Sequence, residues 1–118
     1  MTKQYTGTWH ITEMETWDEE YFNMGVQAYI RVGSDGFGHF QFGLVSGQID
    51  GELTSYQNLE RFEFTWDGSD ELDPVSGSGW LQLVDKNSVE GWIKFHLGDS
   101  SLLRARRLEK LYYNGKVN

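Results

Sequence analysis

Cysteine is missing from this sequence altogether, and proline occurs once, at Pro74. Without thiols the chain has no disulfide, no thiolate metal site and no cysteine nucleophile. Such a composition fits a reducing cytoplasm. Long apolar runs are missing too: no stretch approaches the roughly 18 residues that a membrane-spanning helix requires. The opening Met1-Thr2-Lys3-Gln4-Tyr5-Thr6 lacks the basic segment and apolar core of a secretory signal, so the sequence reads as cytoplasmic, with no membrane attachment. Basic residues are scarce, 10 Lys and Arg against 18 Asp and Glu, for a net charge of −8. That charge repels phosphate backbones and argues against nucleic-acid binding, while leaving a basic protein open as partner. There is no Gly-x-Ser-x-Gly elbow, phosphate loop or His-Glu-x-x-His helix, and no cofactor is expected.

What the chain does have is alternation. It has 118 residues, the size of one domain with one core, and 38 % of them are hydrophobic and 15 % aromatic. Apolar positions recur with period two between turn signals. The faces read Trp9 and Ile11; Val26, Ala28, Ile30 and Val32; Phe40, Phe42 and Leu44; Ile49, Gly51 and Leu53; Phe62, Phe64 and Trp66. Leu81 and Leu83 follow, then Val89, Gly91, Ile93, Phe95 and Leu97, and finally Leu103 and Ala105. After the first face, Trp17, Tyr21 and Met24 follow helical spacing instead. Thr16-Trp17-Asp18-Glu19 has the form of a capping box, which predicts a short helix from Thr16 to Met24 that closes one end.

The pattern predicts an all-β fold, a single closed up-and-down antiparallel barrel of about eight strands with a short helix between strands 1 and 2. One domain covers residues 1–118, with the barrel at 5–108 and a C-terminal tail at 109–118. Leu111, Tyr112 and Tyr113 make that tail amphipathic enough to dock on this chain or a neighbour. Eight strands leave an interior that side chains just fill or that holds one small ligand. With Phe40, Phe42, Phe62, Phe64, Trp66, Ile93 and Phe95 inward, any cavity is expected to be modest.

Gly7-Thr8-Trp9, opening the first strand, resembles the Gly-x-Trp signature of the calycins, the superfamily of lipocalins, fatty-acid-binding proteins and avidins. The resemblance implies a ligand-binding barrel whose Trp lies at the closed end beneath an arginine of the last strand. Arg104, Arg106 and Arg107 are the candidates for that partner. Glu13-Met14-Glu15-Thr16-Trp17-Asp18 and Trp66-Asp67-Gly68-Ser69-Asp70-Glu71-Leu72-Asp73-Pro74 are similar to the hallmarks of a small prokaryotic family. That likeness covers most of the chain and brings no activity with it, but implies a role for both acidic stretches.

Four constellations could carry chemistry. Asp67, Asp70, Glu71 and Asp73 form an acidic loop of the kind hard cations favour, yet the spacing matches no calcium motif, so no metal is expected. Glu13, Glu15 and Asp18 stand beside Trp17, where a carboxylate under an aromatic lid can act as general acid or base; helix capping is the plainer reading. His10, His39 and His96 fall on polar faces with no metal-ligand spacing. Trp80 and Trp92 lie opposite one another if Asp85-Lys86-Asn87 makes a three-residue hairpin loop. Arg104 and Arg106 could then stack over them, building an interface or dimer seam.

These readings lead to a non-enzymatic barrel that binds a small apolar ligand at Trp17, Phe40, Phe64 and Trp66, or a protein partner or second copy through its outer aromatics. The alternatives are a small enzyme using the N-terminal carboxylates and an acidic inhibitor or immunity-like protein.

Overall fold

The computed structural model describes residues 3–108. Its strands are β1 (Gly7–Met14), β2 (Tyr29–Val32), β3 (Phe37–Phe42), β4 (Val45–Tyr56), β5 (Leu59–Asp70), β6 (Asp73–Asp85), β7 (Ser88–Phe95) and β8 (Ser100–Arg107), with the single-turn α1 (Glu19–Phe22) between β1 and β2. Each strand pairs antiparallel with the next, and β8 returns to pair with β1, closing the barrel. The expected fold class is the observed one. The tail at 109–118 lies outside the described residues.

The differences from the sequence reading fall where strands end. Alternation cannot show where a strand stops, so Val26, Leu44 and Leu97 read as inward-facing. In the structure Val26 precedes β2, Leu44 occupies the β3–β4 turn and Leu97 the β7–β8 turn, and all three are exposed. The acidic "loop" is mostly strand: β5 runs on to Asp70, β6 begins at Asp73, and only Glu71-Leu72 turn between them. The β6–β7 connection is a two-residue Lys86-Asn87 turn with a bulge between Leu83 and Asp85, and it delivers the expected register, Trp80 opposite Trp92.

The helix is shorter than predicted, and its cap is Asp18, whose Oδ1 accepts from the Tyr21 N–H at 3.0 Å. Thr16 is drawn off to β8. Its hydroxyl donates to the Ser100 carbonyl at 2.6 Å, and its N–H donates to Ser101 Oγ at 3.1 Å.

Aromatic rings fill the inside, and glycines make the room. Phe40 meets Trp66 edge-on at 5.0 Å, Trp66 meets Phe95 at 5.2 Å, and Phe62 contacts Phe64 at 5.9 Å. Opposite these rings stand Gly47 (across from Phe40), Gly51 and Gly79 (both across from Phe64) and Gly77 (across from Trp66). A Cβ at Gly47 would lie 2.6 Å from the Phe40 ring and 2.8 Å from that of Trp66, closer than real carbons approach. The packing leaves Trp66 Nε1 buried without a hydrogen-bond partner, a cost of about 1–3 kcal/mol borne against two edge-to-face contacts.

Aromatics also stop both ends. At one, Trp17 covers Phe42 at 5.1 Å and Phe95 at 6.0 Å, while Phe22 of α1 is buried and its carbonyl accepts from the Gly43 N–H. At the other, Tyr5 stacks on Phe62 at 5.9 Å, donates to the Glu60 carbonyl and accepts from the Leu83 N–H. Burial pushes the Tyr5 hydroxyl above its ordinary pKa, so this end is built for the neutral phenol.

Beside Tyr5, Trp9 is fully buried and donates from Nε1 to the Tyr5 carbonyl at 2.9 Å. Of the three late arginines, Arg107 takes the place above it, 4.2 Å from the ring centroid. Its guanidinium donates to the carbonyls of Thr6 at 2.7 Å, Gln4 at 2.8 Å and Lys86 at 3.1 Å. Gly7 has φ 128°, and a Cβ there would sit 3.0 Å from Arg107 Nη1. Backbone conformation and arginine together explain why this position is glycine.

Candidate functional site

The outer face carries what the inner one does not need. Pairing sets Glu63, Trp80, Trp92 and Leu102 in one row across β5, β6, β7 and β8. Both tryptophans are half-buried, and Leu102 is 51 % exposed. The guanidinium over Trp80 belongs to Arg61, 3.7 Å from the ring centroid and also 4.1 Å from that of Tyr56. This corrects the assignment of Arg104 and Arg106. The β8 residue beside Trp92 is Leu102, whereas Arg104 stands opposite Glu90 and Glu13, and Arg106 opposite Ser88 and His10.

A groove of about 490 Å³ joins this face to the loop that leaves β1. Trp80, Glu90, Leu102, Arg104, Glu13 and Glu15 line it along the barrel, and Trp17, Asp18, Glu19 and Phe22 line it at α1. Residues from two separate sequence-predicted groups, the carboxylates by Trp17 and the Trp80/Arg104 cluster, therefore share one surface feature.

Within it Arg104 bridges Glu13 at 3.3 Å and Glu90 at 3.4 Å, pairs exposed enough that each contributes at most about 1 kcal/mol. Glu15 accepts from the Leu102 N–H at 3.3 Å, and Asp18 caps α1. Each candidate acid–base carboxylate thus serves a different neighbour, and the arrangement does not set a general acid against a general base.

The remaining candidates are dispersed. Phe40, Phe64 and Trp66 are 1 %, 5 % and 4 % exposed, each with rings as neighbours, so the expected pocket lined by Trp17, Phe40 and Phe64 is occupied by the side chains themselves. Asp67 points out from β5, Asp70 and Asp73 pair across the β5–β6 hairpin, and Glu71 is in its turn. Carboxylates spread along two paired strands do not converge, and no group of metal-ligating side chains assembles among the described residues. His39 Nδ1 lies 3.0 Å from the Tyr29 hydroxyl, and His10 and His96 are on other strands or turns.

No family model matches this chain, and no curated protein or solved structure does either. Geometry alone must carry the functional argument. Among the described residues no helix is long and apolar enough to cross a membrane.

Sequence reasoning overlooked Arg61, Glu90 and Leu102. The last was readable: with Leu103 and Ala105 inward, Leu102 had to face out beside Trp92. Arg61 was not, because reading Asp67–Asp73 as a loop leaves the β5–β6 register that sets Arg61 near Trp80 undefined.

Proposed function

We propose that this chain is a calycin-like barrel that acts as a non-catalytic interaction module, holding a partner protein against its outer aromatic face and the adjoining groove. One observation carries the reading: Trp80 and Trp92 are spent on the outside of a barrel whose inside is already filled by rings. Half-buried Trp and an Arg beside a groove are the residue types that dominate protein interfaces, and the exposed Leu102 adds apolar surface to them. Gly7 and Trp9 beneath Arg107 support the calycin kinship, and the cysteine-free acidic composition suits a cytoplasmic setting.

The test is capture from a lysate of the native host, comparing the intact protein with Trp80→Asp and Leu102→Asp variants of unchanged circular dichroism. A defined partner retained by the intact protein and lost from both variants is expected. An identical set of proteins on all three would contradict the reading.

A further inference from the structure

The same groove also has a sign. Five carboxylates line it (Glu13, Glu15, Asp18, Glu19 and Glu90) against one guanidinium, Arg104, already held between Glu13 and Glu90. Trp80, which lines it together with Trp17 and Phe22, already receives a cation, Arg61, at 3.7 Å on the barrel's own surface. An indole beside carboxylates, with Leu102 exposed next to them, is the surface that an alkylammonium or guanidinium on an apolar stem satisfies twice, through charge and through the ring.

Resting on the binding reading above, we infer that the groove's occupant is a basic, apolar segment of the partner protein, its Arg or Lys heads set among these carboxylates with a stem along Trp80 and Leu102. A second copy of this chain is disfavoured as occupant, since each brings a charge of −8 to a carboxylate-lined surface.

The probes are a leucine–alanine–arginine peptide and its glutamate counterpart of equal length, titrated into the intact protein and followed by amide shifts. The arginine peptide is expected to bind saturably, shifting residues of the groove, with the glutamate peptide at least tenfold weaker. Trp80→Leu is expected to weaken binding about tenfold, as loss of a desolvated cation–π contact would. Glu90→Gln should weaken it measurably, whereas Asp67→Asn, a carboxylate outside the groove, should leave it unchanged.

Equal binding of both peptides at the groove would overturn the cationic specificity while leaving the binding face standing. Equal weakening by Asp67→Asn would overturn it too, by showing that net charge alone attracts the peptide. If neither peptide shifts the groove and Trp80→Leu changes nothing, the inference falls, and host capture then decides separately whether the binding face falls with it.

Discussion

Gly47→Val is expected to destabilise the barrel by about 3 kcal/mol, and to do so without touching any surface residue. The position faces inward opposite Phe40, and even the first added carbon would collide with the rings of Phe40 and Trp66. Those rings have nowhere to retreat, because Phe40 also stacks on Phe42 and Trp66 also meets Phe95. Urea unfolding measures the effect as a lowered midpoint at unchanged slope. The mechanism has its own control. Phe40→Leu alone should destabilise by removing ring contacts, but combined with Gly47→Ala the two should cost less than their sum by about 1 kcal/mol. Strict additivity would mean that the glycine is not there to admit the ring.

Arg107→Ala is expected to cost about 2–3 kcal/mol, because one planar fork serves three backbone carbonyls and covers Trp9. For a domain of this size that lowers the melting temperature by roughly 10 °C. Arg107→Lys should recover less than half of the loss, since a single ammonium reproduces neither the fork nor the stacking. Full recovery with Lys would show that charge, and not shape, closes this end. The contacts tie the segment before β1 to the β6–β7 turn across the end of the barrel. Their loss should therefore also speed exchange of the Leu83 amide, which donates to the Tyr5 hydroxyl at the same end.

The barrel was legible in the chain because its physics is local. A half-buried strand needs alternating side chains, and Phe40/Phe42, Phe62/Phe64/Trp66 and Ile93/Phe95 supply them without interruption. Closure followed from short connections and unprotected edges. Strand ends were less legible, since Leu44 and Leu97 continue the alternation into turns that only backbone pairing defines. The Asp67–Asp73 stretch misled for the opposite reason: its carboxylates look like a loop, yet β4 and β6 supply partners that turn most of it into strand.

The candidate site was half legible. Trp80 facing Trp92 was readable from hairpin arithmetic, and the Trp17 carboxylates from composition. That these two groups line one groove was not, because it depends on β8 returning to β1, a contact between the chain's two ends. The β7–β8 register sets Arg104 opposite Glu90 and puts Leu102 beside Trp92, and the closure onto β1 then adds Glu13 on the other side of Arg104.

Whether the molecule binds inside or outside turns on how full the barrel is, and xenon answers that directly because it enters dry apolar voids large enough to hold it. Crystals under xenon pressure are expected to show no xenon among Phe40, Phe64 and Trp66. Density for xenon between those rings would contradict a filled interior and return the ligand to the inside of the barrel.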